Sequence, residues 1–153
     1  MKTGYGTILS ECSIGVDTIV WNYCNLYKCR IGKNCKIASY VEIGEGVSIG
    51  DNCKIEAFVY IPKGITIGDG VFIGPHVVFT NDLHPSVSDN WTITNTFVRD
   101  GASIGANSTI LPGVTIGEKA LVGAGSIVAE DVPANTICYG QKAINRSRKN
   151  VRK

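Results

Sequence analysis

From Ile31 onward, large apolar residues return at every sixth position: Ile37, Ile43, Ile49, Ile55, Ile61, Ile67, Ile73 and Phe79, without an exception. The residue after each is commonly small (Gly32, Ala38, Gly44, Gly50, Gly68, Gly74). The fifth position of each hexad is small or β-branched (Cys35, Val41, Val47, Cys53, Val59, Ile65, Val71, Val77). A period of six is neither helical nor that of a simple alternating strand. It predicts a short strand followed by a corner, with the large side chain inward and a glycine supplying the freedom to turn. Three such sides close a coil of about eighteen residues, and stacked coils bury a continuous apolar column that no single coil could bury alone. The expected fold class is therefore all-β.

The pattern resumes at Ile104, Ile110, Ile116, Val122 and Val128, one residue out of phase with the earlier run. Residues 80–103 are accordingly expected to form an extruded loop, polar except for Trp91 and Phe97. A second slip, between Leu26 and Ile31, predicts an irregular first coil over 9–30. The chain then reads as one domain, 1–153, with repeats over 31–79 and 104–132 and a basic tail over 133–153. The period already accounts for every glycine of "GDGVFIG" (68–74), which is therefore not a nucleotide-binding fingerprint. Cys35 and Cys53, eighteen residues apart in equivalent positions, are expected to stack as buried thiols.

A hydrophobic content of 44% with 18% charged residues is that of an ordinary globular domain. No apolar run reaches the roughly 18 residues that span a bilayer, and "MKTGYGTILSECS" lacks the apolar core of a signal peptide. A cytosolic protein with no membrane partner is expected, its cysteines reduced, since no CxxC pair occurs. Six basic residues (Lys142, Arg146, Arg148, Lys149, Arg152, Lys153) follow the last acidic one, Asp131. Without interleaved aromatics they do not predict a nucleic-acid partner. The two histidines, His76 and His84, are too few and too close for a three-histidine zinc site of the γ-carbonic-anhydrase kind, and no metal is expected.

The hexads resemble those of the hexapeptide-repeat acyltransferases. The resemblance implies a left-handed parallel β-helix, association as homotrimers, and acetyl-CoA or another acyl-CoA bound in the groove between neighbouring coils. Two branches of the family meet at "VVFTNDLHPS" (77–86). His84-Pro85 is similar to the pair that sugar O-acetyltransferases of the galactoside and maltose type carry where their loop leaves the coil, with the histidine as general base. The "VVFTND..P" stretch and the opening "VWNYCNLYKCRIGKNCKI" look more like the nucleotide-sugar N-acetyltransferases, which acetylate amino sugars for bacterial surface polysaccharides. The second branch is favoured.

On this resemblance Asn81 and His84 are the candidate catalytic residues. A hydroxyl acceptor needs a base such as His84, whereas a neutral amine needs chiefly positioning, which the amide of Asn81 suits. Ala106 and Ala124 match small residues beside the pantetheine arm of the acyl-CoA, leaving backbone groups accessible to it, and Ala129 matches a further contact. Glu130 stands where the O-acetyltransferases often carry Lys. The usual Gly-x-Pro-Ala-Arg ending is replaced by "YGQKAINRSR", so a CoA phosphate would fall to Lys142, Arg146 or Arg148. His76 is expected at a corner, facing solvent or an interface. Trp91 has two readings, a wall against a neighbouring subunit or packing on its own coil. A coil stack without catalysis is the alternative to an enzyme, and no helical domain precedes the coils as in a serine acetyltransferase.

Overall fold

Each two-residue strand sends one side chain out and the next inward, as Lys36–Ile37 and Lys54–Ile55 do. Six residues carry the chain round one corner, so every third inward residue falls on the same face: Ile37 pairs with Ile55, and Ile55 with Ile73. The computed structural model describes residues 1–87 and 91–140. Its strands form three sheets, all pairings parallel, which are the three faces of a β-solenoid. Face I has eight strands, from Lys2–Thr3 to Ile137–Cys138. Face II has seven, from Ile8–Ser10 to Ile127–Val128. Face III has six, from Ser13–Ile14 to Thr115–Ile116. Among the described residues no helix is long and apolar enough to cross a membrane.

The inward residues make one column. Ile31, Ile37, Ile43, Ile55, Ile61, Ile73, Phe79, Ile104, Ile110 and Ile116 are almost wholly removed from water, and their burial supplies the main driving force for stacking. The fifth positions line the corners from inside. Where they are polar they bond carbonyls: Thr18 Oγ1 donates to Gly32 O (2.7 Å), Ser108 Oγ to Gly105 O (2.8 Å), and Cys35 and Cys53 thiols to Gly50 O (3.2 Å) and Gly68 O (3.1 Å). Cys35 and Cys53 stack as expected, Cys53 N–H donating to Cys35 Sγ (3.4 Å).

The structure corrects four expectations. First, the slip between Leu26 and Ile31 is one short corner, and the opening strands on either side of it pair in register. Thr3 pairs with Val20, and Ile14 with Ile31. Leu9 to Ile14 and Leu26 to Ile31 are each five residues, so both coils lack the same corner residue and stack at a spacing of seventeen, against eighteen higher up. Second, the loop is shorter than 80–103. Thr96–Val98 is back on face III, paired with Ile65–Ile67, and Val98 begins the second phase six residues before Ile104. Phe97 is thus an outward strand residue, with the Arg99 guanidinium 4.9 Å from its ring centre. Third, the coil continues into the tail: Ile137–Cys138 pairs with Leu121–Val122.

Fourth, the glycine after each inward residue does not make the turn. Positive φ falls two residues later, at Asn34, Tyr40, Asn52, Phe58 and His76. The position after the inward residue is small because the next coil lies against it; a Cβ on Gly74 would stand 2.7 Å from Ala106 N.

Backbone amides at the corner between faces III and I are capped in series. Lys33 N–H donates to Asp51 Oδ1 (2.9 Å), Asp51 N–H to Asp69 (2.7 Å) and Asp69 N–H to Asp100 (2.9 Å). Asp69→Ala is expected to destabilise the chain by about 1 kcal/mol, seen as a lower urea midpoint at unchanged slope, while Asp69→Asn keeps most of the loss from appearing.

Candidate functional site

The corner between faces II and III carries the loop. Lys63, at the third hexad position, has Asn81 directly above it in the next coil, and Asn81 Nδ2 donates to the Lys63 carbonyl (2.8 Å). The carbonyl of Asn81 accepts from Thr94 N–H (3.0 Å), which closes the base of the loop across residues 82–93. The returning arm lies against two glycines of the coils below and above. A Cβ on Gly64 would meet Ile93 Cγ2 at 2.5 Å, and one on Gly113 would meet Thr94 Cγ2 at 3.0 Å; both glycines also have positive φ. This corner is therefore kept free of side chains so that the loop can fold down on it.

Within the loop, Asp82 Oδ1 accepts from His84 N–H (2.8 Å), an Asx turn that fixes the direction in which the chain leaves Asn81. His84 and Pro85 are exposed, and Asn81 is half-buried. The structure thus brings the two candidate catalytic residues to one loop base, with Asn81 anchored and His84 held out toward solvent. Trp91 keeps 49% of its surface exposed.

Lys63, Asp82 and Thr94 were not singled out by sequence reasoning. Asp82 had a signal in the Asn-Asp pair before a loop. Lys63 had none, because it acts through a backbone carbonyl. Its side chain is engaged elsewhere, with Nζ 3.2 Å from Glu45.

The expected acyl-CoA contacts do not all lie together. Ala106 and Ala124 stack at the corner between faces I and II, in the column that also holds Asn22, Ser39, Ala57 and Pro75. The carbonyl of Ala106 accepts from Gly125 N–H (2.8 Å). That carbonyl is engaged in stacking, so the expectation of an open backbone there holds only in part. Ala129 lies at the other end of face II, two coils above Thr80 in the loop's own corner, and is exposed beside Glu130. Lys142, Arg146 and Arg148 lie outside the described residues.

Below Ala106 and Ala124 the same corner changes character. Tyr5, Tyr23, Tyr40, Phe58 and His76 rise in a file, Tyr5 edge-on to Tyr23 (5.7 Å between centroids) and the rest stacked at 5.2, 4.9 and 4.8 Å. Tyr23, Tyr40, Phe58 and His76 all have φ near +60°. That conformation costs a non-glycine residue about 1 kcal/mol, which ring stacking of about 0.5–1.5 kcal/mol per pair offsets. His76 is the last ring, exposed at the corner as expected, and above it the corner narrows to Asn107 and Gly125. Face II therefore separates a small-residue trough on one edge from a loop with polar residues on the other. Among the described residues no group of three or more His, Cys, Asp or Glu side chains is placed to hold a metal ion.

Comparisons with known proteins agree with this architecture. The family model for bacterial transferase hexapeptide repeats matches residues 28–63, 46–81 and 95–130, more than half of the chain. A dTDP-3-amino-3,6-dideoxy-alpha-D-galactopyranose 3-N-acetyltransferase of Aneurinibacillus thermoaerophilus is 56% identical over 48 residues, 31% of this chain and 25% of that protein. A galactoside O-acetyltransferase of Lactococcus lactis is 31% identical over 81 residues, 46% of this chain and 39% of that protein. Among solved structures, PerB of Caulobacter crescentus, in complex with CoA and GDP-perosamine, superposes with a TM-score of 0.71 at 22% identity, over 82% of this chain and 55% of that one. The chain spans about half of PerB and a quarter of the Aneurinibacillus enzyme.

Proposed function

The chain belongs to the bacterial transferase hexapeptide-repeat family, and from that membership we propose that it transfers an acetyl group from acetyl-CoA to the amino group of a nucleotide-linked amino sugar. The product serves bacterial surface polysaccharide synthesis, the enzyme acts in the cytosol, and it works as a homotrimer.

The observation that carries the reading is the anchoring of Asn81. One N–H of its Nδ2 goes to the Lys63 carbonyl, which fixes the amide and leaves its acceptor oxygen and second N–H for a substrate. An acceptor suits an amine, which has hydrogens to donate as its lone pair turns toward the thioester carbon. His84, three residues on and held by the Asp82 turn, takes the proton that the nitrogen sheds once the new bond forms. Acetyl-CoA contributes the activated acyl group, and its thiol is the leaving group.

The split across face II supports the trimer. Asn81 and His84 sit on one edge of the face, and Ala106 and Ala124 on the other. In a closed ring of three copies each edge meets the opposite edge of a neighbour, which sets one copy's loop against the next copy's trough. Trp91, half-exposed in the single chain, then walls the acceptor pocket. Lys142, Arg146 and Arg148 are proposed to meet the CoA phosphates, and Ala129 to border the same groove.

The test is thiol release from acetyl-CoA with a panel of UDP-, dTDP- and GDP-linked amino sugars, the product identified by mass and by resistance to alkaline hydrolysis. An amide product supports the proposal. An alkali-labile ester formed on simple sugars overturns it in favour of an O-acetyltransferase, the reading that His84-Pro85 would carry. No turnover, together with no protection of the fold by CoA against heat, leaves a non-catalytic scaffold.

A further inference from the structure

The fifth-position column at the II/III corner begins with two cysteines. Cys12 and Cys29 lie in the first and second coils, immediately before strands that pair in register, Ser13 with Arg30 and Ile14 with Ile31. Neighbouring strands of a sheet are about 4.8 Å apart, inside the Cα separation of about 4.4–6.8 Å that a disulfide spans. The thiols already touch: Cys29 Sγ lies 3.5 Å from Cys12 Sγ. Their exposure differs. Cys29 is buried, at 5%, whereas Cys12 is half-buried in the terminal coil, beside a surface hollow lined by Met1, Leu9, Glu11 and Ile14.

We propose that Cys12 and Cys29 are a reversible redox pair, closed by a low-molecular-weight disulfide such as oxidised glutathione into a covalent tie between the first two coils. The Cys12 thiolate attacks one sulfur of glutathione disulfide, forming a mixed disulfide and releasing one glutathione thiolate, which takes up a proton. The Cys29 thiol then loses its proton and attacks the Cys12 sulfur, releasing the second glutathione. The protein dithiol loses two electrons, and glutathione disulfide gains them as two thiols.

Accessibility assigns the order of attack. Burial and the neighbouring Cys12 thiol push Cys29 up to about 12, so it is the resolving partner and closure is slow. The other stacked pair does not compete. The hydrogen bond from Cys53 lowers Cys35 to about 7, but both thiols are sealed in the core with coils above and below. The tie has a structural consequence: among the described residues β-strand pairing joins the first coil to the second, and the disulfide adds a covalent link between the same two coils.

The reduced chain, incubated with oxidised glutathione, is expected to lose about 2 Da in intact mass. Two of the six thiols should stop reacting with an alkylating reagent, and peptide mapping should join Cys12 to Cys29. Dithiothreitol should restore both thiols. Cys12→Ser removes the mass loss, and Cys35→Val, which uses the residue that Val71 supplies higher in the same column, keeps it. Should Cys12→Ser fail to fold, the unaltered chain supplies the second measurement: one equivalent of phenylarsine oxide, which bridges closely spaced thiols, should bind and block the oxidation. A stable single-glutathione adduct on Cys12, a bridge mapped to Cys35 and Cys53, or no arsenical binding would overturn the proposal.

Discussion

A His84→Ala variant is expected to lose about 100-fold in kcat while its affinity for CoA, read by protection of the fold against heat, stays within about twofold. The reasoning rests on where His84 stands. The Asx turn of Asp82 sets it three residues beyond an anchored Asn81, exposed, at the loop base rather than at the trough of Ala106 and Ala124. On the proposed reading a residue at that place contacts the acceptor, so its removal is expected to leave donor binding intact. Because an amine is nucleophilic once neutral, the loss should be nearer the lower than the upper end of what a general base supplies, and added imidazole should restore part of the rate. An unchanged kcat removes His84 from the mechanism. Loss of CoA affinity in parallel with kcat would place it in the donor site instead.

Gly105→Val is expected to destabilise the chain by about 3 kcal/mol. A Cβ at this position would stand 2.8 Å from Ala124 Cα and 2.9 Å from Gly123 C. These are backbone atoms of the next coil, held by Gly105 N–H to Val122 O (2.8 Å), and they have nowhere to go without parting the stack. Gly125 makes the contrast. It has a φ of +71° and nothing within 4 Å of its Cβ direction, so Gly125→Asn, which tolerates that conformation, should cost well under 1 kcal/mol. Thermal unfolding of the two variants separates close packing from backbone freedom as the reason a glycine is present. Equal losses would mean that the turn, and not the coil spacing, is what glycine serves.

How much of this was legible along the chain differs by element. The column from Ile31 to Phe79 was, since a period of six in one large residue is visible without knowing what it packs against. The loop was legible in its start and not in its end. Val98, Thr96 and the outward Phe97 already followed the hexad pattern, but Phe97 reads as one more loop aromatic until the pairing of Ile65–Ile67 with Thr96–Val98 is known. The slip in the opening coils was legible, but its in-register pairing was not, for a related reason. A five-residue corner breaks a period counted along the chain, yet it is harmless in space because the coil beneath has the same short corner, at Leu9 to Ile14.

The candidate site divides in the same way. Asn81 and His84 could be singled out in the sequence, because the family resemblance falls on the stretch where the apolar rhythm stops. Their distance from Ala106 and Ala124 around the coil could not, since two corners of one solenoid look alike in a hexad. What the residues determined by themselves is which side chains point inward, because burial selects large apolar groups at a fixed interval. Only the tertiary structure decided which small residues are turns and which are contact points, and which thiols and amides meet. Those depend on the neighbouring coil seventeen, eighteen or thirty-one residues away, and nothing local in the chain records which of these spacings applies.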